Sequence, residues 1–192
     1  MVQEIINVVK RGTRGKEPLN IEKIHDMVEY AVEDITGVSA SQVEMQSGLQ
    51  FYDGMSTDEI QQILIKSAAD LISLENPNYQ YVAARLLLYS LRKQVIDKLW
   101  DHPHIFEHTK KCIEKGVYDP SILESYEKKD FDRMENWINH NRDYDFTYAG
   151  LRQVIDKYLV QDRSSGEVFE TPQFMYMMIS ATLFAKYPKN KR

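Results

Sequence analysis

The chain has 192 residues, of which 43% are hydrophobic and 28% are charged, with 8 glycines and 6 prolines. This composition excludes low-complexity disorder and collagen-like repeats, and the length allows one or two domains with a buried core. The formal net charge is −5, from 24 basic and 29 acidic residues spread along the chain, so a general nucleic-acid-binding surface is not expected.

The first residues predict a short β-hairpin followed by a helix. Residues 5–9 are rich in β-branched side chains, residues 10–16 form a basic turn that contains glycines, and residues 17–19 follow that turn. Asn20 is a favourable N-cap, and apolar residues recur at helical spacing through residues 24–35. A first helix is therefore expected after Asn20.

Two capping patterns predict the next helices. Ser41 and Glu44 have the spacing of a capping box, for a short helix expected to end near residues 53–54. Ser56 and Glu59 repeat that spacing before a third helix. Pro77 is expected to open a fourth helix, so residues 1–95 form a hairpin with four helices.

Residues 96–192 are also predicted to be mainly helical. Breaks are expected at 102–103, 116–120 and 139–141, and a second hairpin is expected to join residues 158–160 to 167–169. Residues 174–185 contain no charged side chain, so a helix there needs burial on every side. That helix is either the centre of a small bundle or a surface that requires a partner.

Several cations and one hydroxyl have positions that suit an anion. Lys10 and Arg11 follow the first strand beside glycines, although a basic hairpin tip is more often a solvated turn. Lys23 borders the apolar stripe of the first helix, and Thr57 lies at the N-terminus of the third, where it is otherwise an ordinary N-cap. Lys93 closes the fourth helix, where a cation also suits the helix dipole.

No ordinary catalytic constellation is evident. His104 and His108 have the i, i+4 spacing of a metal-binding pair, but no third ligand is evident, and we expect a solvated pair. The lone cysteine, Cys112, excludes a disulfide framework and is expected to be a small buried residue in a reducing compartment. With no apolar run near the ~18 residues that span a bilayer, and no signal peptide, we expect a cytoplasmic protein.

Four stretches together resemble the ATP-cone, the regulatory module at the N-terminus of ribonucleotide reductase large subunits. They are Val-Lys-Arg at 9–11, Leu-Asn-Ile-Glu-Lys-Ile-His at 19–25, Phe-Tyr-Asp-Gly-Met-Ser-Thr at 51–57 and Pro-Asn-Tyr-Gln-Tyr-Val-Ala-Ala-Arg-Leu at 77–86.

The resemblance continues after the cone. Tyr-Asp-Pro at 118–120, Asn-Arg-Asp-Tyr-Asp-Phe-Thr-Tyr at 141–148, Lys-Tyr-Leu-Val at 157–160 and Glu-Thr-Pro-Gln-Phe at 170–174 are similar to the class I segment that leads into the α/β barrel. The fold so implied is mainly α with small β-hairpins: an ATP-cone over 1–95 and an incomplete helical part of the catalytic domain over 96–192.

The resemblance implies that ATP or dATP, with magnesium, binds the cone as an allosteric effector of the reductase. By position, the implied nucleotide-binding residues are Lys10, Arg11, Glu17, Asn20, Lys23, Thr57, Gln61 and Lys93. Glu17 and Asn20 match positions near the adenine and ribose, and the others match positions near the triphosphate.

Two departures from the family concern this site. The loop before Asn20 is one residue longer than in well-known bacterial relatives, and Gln61 stands where they carry a histidine near the phosphates. Because a neutral amide brings no positive charge, nucleotide affinity or the distinction between ATP and dATP is expected to differ.

The family's radical chemistry uses several cysteines, and Cys112 matches none of them. The resemblance therefore implies that this chain carries no catalytic residue, no catalytic metal and no activity alone, and that it works with the rest of the large subunit. The radical-generating small subunit and an oligomer are further implied partners, whereas DNA and membranes are not.

Two alternatives stay open at this stage. A degenerate cone that serves only as a subunit-assembly surface would associate without nucleotide. A transcriptional repressor with an ATP-cone sensor would carry a four-cysteine zinc ribbon, which one cysteine does not allow.

Overall fold

The computed structural model describes residues 6–9, 15–48 and 50–188. Contacts divide the chain into two compact units, Met1–Ser90 with Phe146–Leu151 and Leu91–Asp145 with Arg152–Arg192. The described part is mainly helical with one small antiparallel hairpin, which confirms the predicted fold class.

The elements follow one another in simple order. In the first half they are β1 (Asn7–Val9), β2 (Lys16–Pro18), α1 (Ile21–Val32), α2 (Ala40–Gly48), α3 (Thr57–Asp70) and α4 (Tyr79–Ile96). In the second half they are α5 (Ile105–Glu114), α6 (Ser121–Ser125), α7 (Lys128–Trp137), a 3-10 helix (His140–Asp145), α8 (Tyr148–Lys157) and α9 (Pro172–Phe184).

The predicted first hairpin and the starts of α1 and α3 are confirmed. β1 and β2 are antiparallel, with Val8 opposite Glu17. Asn20 is the N-cap of α1, because its side chain accepts a hydrogen bond from the Lys23 amide at 3.0 Å. Ser56 and Glu59 form the predicted capping box of α3. These features involve residues close in sequence, which explains why a sequence pattern could predict them.

The predicted bounds of the second helix were wrong. The helix begins at Ala40, so Ser41 lies inside it instead of capping it, and it ends at Gly48 instead of near residue 54. A long-range contact helps to set the start, because the Ser39 amide donates to the Tyr79 hydroxyl at 3.0 Å. The segment before α3 is a loop in which Gly54 has a φ of +86°, a conformation that favours glycine.

α4 forms the centre of the first unit. The side chains of α4 that are almost completely buried in this unit include Tyr79, Val82, Ala83, Leu86, Leu87, Leu88 and Tyr89. Side chains of α4 also hold the end of α1, because Arg85 donates to the Glu33 carbonyl at 2.5 Å and Tyr89 donates to the Tyr30 carbonyl at 3.3 Å. α4 therefore fixes the C-terminal end of α1.

The core of the second unit is formed around α5, α7 and α9. Its buried members are Ile105, Ile122, Tyr126, Phe131, Met134, Phe174, Met178 and Ala181. The apolar helix α9 buries Phe174 and Met178, but Ile179 is 48% exposed and Leu183 is 68% exposed. Within the described part of the chain, α9 is thus not buried on every side, and its exposed face borders a groove of about 660 Å³ that also contacts α6.

A buried ion pair joins the end of α4 to the 3-10 helix. Arg92 and Asp143 are each 1% exposed, with Nη2 of Arg92 3.6 Å from Oδ2 of Asp143. Arg92 also donates to the Tyr144 hydroxyl and to the His140 carbonyl, both at 2.9 Å. Burial raises the pKa of Asp143 to about 6, although Arg92 opposes that change. The sequence pattern did not reveal this pair.

The predicted second hairpin exists only as a single antiparallel bridge between Gln161 and Val168. Two backbone hydrogen bonds support it: the Phe169 amide donates to the Val160 carbonyl at 3.0 Å, and the Asp162 amide donates to the Glu167 carbonyl at 2.8 Å. The turn between them carries Gly166 with a φ of +75°. The chain therefore reverses where the sequence predicts, with shorter pairing.

Candidate functional site

The N-terminus of α3 presents polar groups beside the hairpin. The Ser56 hydroxyl accepts from the Glu59 amide at 3.1 Å, while Glu59 accepts from the Ser56 amide at 2.7 Å and from the Tyr52 hydroxyl at 3.0 Å. The hydrogen bond from the Ser56 backbone is the largest of the effects that lower the pKa of Glu59. Thr57, the first residue of α3, is half-buried at this end.

β1 leads directly to this helix end. The Val9 amide donates to the Met55 carbonyl at 2.9 Å, and Val9 forms a parallel bridge with Ser56. Lys10 and Arg11 follow Val9 in the sequence and lie outside the described residues. The last described residue of β1 is therefore a neighbour of the α3 N-cap, at a helix end whose dipole favours anions.

On its other edge β1 pairs with β2, and α1 follows β2 in the chain. Glu17 is paired with Val8, and Asn20 lies two residues after β2. The Leu19 amide donates to the Ile6 carbonyl at 2.8 Å, which closes this end of the hairpin. Lys23 is exposed in the first turn of α1. β1 thus has Glu17 of β2 opposite its central residue and the N-cap of α3 beside its last residue, while the segment before α1 bonds to Ile6, just before the strand.

Two residues at this site were not found from the sequence pattern. Asp53 accepts from the Asn7 amide at 2.8 Å and from the Asn7 side chain at 2.9 Å, and these bonds lower its pKa. Lys16 places its Nζ 3.9 Å from Oδ2 of Asp53. The next residue, Gly54, donates its amide to the Asn7 carbonyl at 2.7 Å. The Asp-Gly pair before Ser56 is the sequence signal that could have indicated this loop.

Gln61 lies one turn after Thr57 on the same face of α3 and is half-buried. Its Nε2 donates to the Leu86 carbonyl of α4 at 2.8 Å. Lys93 belongs to the second unit, where it is about half-exposed in the last turn of α4. Its Nζ lies 3.3 Å from the Asp97 carbonyl oxygen, so this lysine meets the helix end as a C-terminal cation.

The histidine pair of the second unit has two separate roles. His104 caps α5, because its Nδ1 accepts from the Phe106 amide at 3.1 Å. His108 is 3% exposed and stacks on Phe174 at 4.3 Å, so its predicted exposure was wrong. Burial lowers the pKa of His108 to about 4. Among the described residues no group of three or more His, Cys, Asp or Glu could hold a metal ion.

Cys112 is buried, as predicted, with its Sγ 3.5 Å from Nε2 of His108. Burial is the main cause that raises the pKa of its thiol to about 11, so the reactive thiolate is disfavoured. In the part of the chain that the structure describes, no helix is long and apolar enough to cross a membrane.

Comparisons with known proteins give two family matches and several close relatives. Residues 6–94 match the ATP cone domain, and residues 144–191 match the ribonucleotide reductase all-alpha domain. The ribonucleoside-diphosphate reductase subunit alpha of Haemophilus influenzae is 45% identical over 186 residues, covering 96% of this chain and 24% of that protein. The ribonucleoside-diphosphate reductase 1 subunit alpha of Escherichia coli is 44% identical over 185 residues, with the same two coverages. The chain spans about a quarter of the length of these curated relatives.

Proposed function

Because the chain belongs to the family of ribonucleoside-diphosphate reductase alpha subunits and carries its ATP cone domain, we propose that residues 1–95 bind ATP or dATP as an allosteric effector. One observation carries this proposal. Val8 of β1 lies opposite Glu17, and the next residue, Val9, forms a bridge with Ser56, the N-cap of α3, at a helix end that favours anions.

The proposed site is shared between this helix end and the start of α1. The proposed ligands of the first unit are Lys10, Arg11, Glu17, Asn20, Lys23, Thr57 and Gln61. Glu17 and Asn20 serve the adenine and ribose, and the others lie near the triphosphate. Amides at the start of α3 and the exposed Lys23 ammonium suit phosphate oxygens, which are strong acceptors of charge-assisted hydrogen bonds. A magnesium ion would enter with the nucleotide and be held by its phosphates.

The reductase chemistry is assigned to other parts of the enzyme. The only cysteine of this chain is buried and its thiol pKa is raised, which does not suit a reactive thiol. We therefore propose that the chain alone is inactive and supports deoxyribonucleotide synthesis as the sensing portion of a class I large subunit in the cytoplasm. Its partners in this proposal are the remaining large subunit and the radical-generating small subunit, in an oligomer.

Residues 96–192 are proposed to be the helical beginning of the catalytic domain. The exposed apolar face of α9, with Ile179 and Leu183, supports a contact with the rest of the large subunit. A protein surface seldom leaves such a row of apolar side chains to water without a partner.

Isothermal titration calorimetry of the chain with ATP and with dATP tests nucleotide binding. We expect saturable binding that Lys23→Ala or Thr57→Ala weakens by about tenfold or more, the usual effect of losing a charged or helix-end phosphate contact. Lys66→Ala is the matched control, because Lys66 is exposed on α3 and pairs with Asp70 at 2.5 Å. Absence of saturable binding, or equal affinities in all variants, would contradict the proposal.

A degenerate cone that serves only assembly is favoured by one observation. Gln61 brings no charge to the site, and its amide already donates to the Leu86 carbonyl. This second candidate predicts association with reductase subunits that is independent of nucleotide. Sedimentation of the mixed subunits with and without ATP or dATP distinguishes the two functions.

A further inference from the structure

Gln61 connects the proposed nucleotide helix to α4. It lies four residues after Thr57, so both side chains are on the same face of α3. The Gln61 side chain is half-buried, and its Nε2 donates to the Leu86 carbonyl at 2.8 Å, a normal length for a hydrogen bond. Leu86 itself is completely buried in the middle of α4. The amide is thus directed at the backbone of a neighbouring helix.

The residue before Leu86 connects α4 to the other proposed nucleotide helix. Nη1 of Arg85 donates to the Glu33 carbonyl at 2.5 Å and lies 3.4 Å from the Ala31 carbonyl, at the C-terminal end of α1. A guanidinium at a helix C-terminus satisfies carbonyls that have no partner in the helix and interacts favourably with the helix dipole. Two successive residues of α4 therefore hold α1 and α3.

We propose that Gln61 is a positioning residue, whose hydrogen bond to the Leu86 carbonyl couples the nucleotide-binding end of α3 to α4. The inference rests on the proposed function and specifies how the site is regulated. A phosphate bound at the start of α3 attracts the positive end of that helix dipole, which lies one turn before Gln61. Since α1 is fixed to α4 through Arg85, a displacement of α3 relative to α1 changes the environment of the α4 backbone at Leu86.

The chemistry of the side chain distinguishes this role from that of a phosphate ligand. A cationic side chain at this position would act on a triphosphate by charge, whereas a neutral amide contributes one hydrogen bond at a time from each N–H. Gln61 uses one donor for α4, so its removal changes the link between helices more than it changes the charge at the site. Nucleotide affinity and the response of α4 are therefore separable.

Hydrogen exchange and calorimetry on the 192-residue chain test the proposal. Gln61→Met keeps the length of the side chain and removes its donor, and Gln61→Leu removes the donor with a shorter side chain that is also neutral. Gln62→Met is the matched control, because Gln62 is the exposed neighbour on the same helix. The measurements are the Kd of ATP and of dATP, and the amide exchange of residues 83–90 with and without saturating ATP.

We expect ATP to slow exchange of residues 83–90 in the original chain and in Gln62→Met. In Gln61→Met, at an ATP concentration that saturates that variant by calorimetry, ATP no longer slows exchange in that segment. Circular dichroism establishes that each variant is folded, and Gln61→Leu provides the same comparison if the methionine variant does not fold.

Other results overturn the proposal. A loss of affinity above about tenfold in both Gln61 variants, with the slowed exchange intact at saturation, identifies Gln61 as a phosphate ligand. An unchanged ATP response in Gln61→Met removes the coupling role. ATP binding to the original chain without any change at residues 83–90 refutes the coupling but leaves the proposed function, whereas absence of binding refutes the proposed function itself.

Discussion

Replacement of Arg92 by methionine tests the buried ion pair of the second unit. The side chain is 1% exposed and makes hydrogen bonds to the Tyr144 hydroxyl and the His140 carbonyl, each at 2.9 Å, and to the Leu99 carbonyl at 3.2 Å. Arg92→Met removes these bonds and leaves the Asp143 carboxylate buried without its cation. Loss of one partner of a buried pair costs about 3–5 kcal/mol, so we expect that loss in the free energy of unfolding at pH 8.

The pH dependence of this loss follows from Asp143. Its folded pKa, about 6, is raised above the ordinary value of 3.8, so the charged carboxylate destabilises the folded state above that pKa. Arg92 lowers this pKa in the original chain, so Arg92→Met raises it further. At pH 5 the carboxyl group is protonated in the folded variant, and the cost of the substitution is smaller than at pH 8.

Urea unfolding followed by circular dichroism at pH 8 and pH 5 measures both effects. Adding Asp143→Asn to Arg92→Met removes the unpaired charge, so the double variant is more stable at pH 8 than Arg92→Met alone. Arg133→Met is the control, because Arg133 is 69% exposed and its change should stay within about 0.5 kcal/mol. A loss below about 1 kcal/mol for Arg92→Met, or the same loss at both pH values, would refute the reasoning.

Three further predictions concern stability. Ser56→Ala removes the capping box of α3 and should cost about 1 kcal/mol by thermal unfolding, whereas Ser41→Ala, inside α2, should cost less; equal losses would contradict the assigned cap. His108→Gln should reduce the fall in unfolding free energy between pH 7 and pH 5 by about 2 kcal/mol. The reason is that below pH 6.5 the unfolded chain protonates His108, whereas the folded chain keeps it neutral down to about pH 4, so the stability present above pH 6.5 is lost as the pH falls. Parallel pH profiles of the two chains would contradict this prediction. Phe131→Ala should cost about 3–5 kcal/mol in urea unfolding, since Phe131 is completely buried, against little change for Trp137→Ala, which is 61% exposed; similar losses would disprove the core assignment.

Interactions between residues close in sequence could be predicted without a structure. The Asn20 cap and the Ser56–Glu59 box each join groups three residues apart, so the residue types and their spacing were sufficient. The same holds for the pairing of β1 and β2, which flank a stretch of sequence that contains glycines. The family resemblance also came from such continuous stretches, and the family matches agree with it.

Interactions between distant residues were decided by tertiary structure. Gln61 and Leu86 are 25 residues apart, and Arg92 reaches a carbonyl 48 residues away. A sequence pattern shows that Gln61 is polar and on the Thr57 face, but not which donor or acceptor lies opposite it. The end of α2 and the burial of His108 depend in the same way on neighbours that other helices supply.

The sequence by itself determined the helical order of the chain, the cap residues of α1 and α3, and the resemblance to an ATP-cone, because each of these depends on the spacing of nearby residues. Only the tertiary structure decided that β1 lies beside the N-cap of α3, that Gln61 donates to α4, and that Arg92 is buried with Asp143. The physical reason is that burial and hydrogen-bond partners are properties of the packed chain, where residues far apart in sequence exclude water from one another.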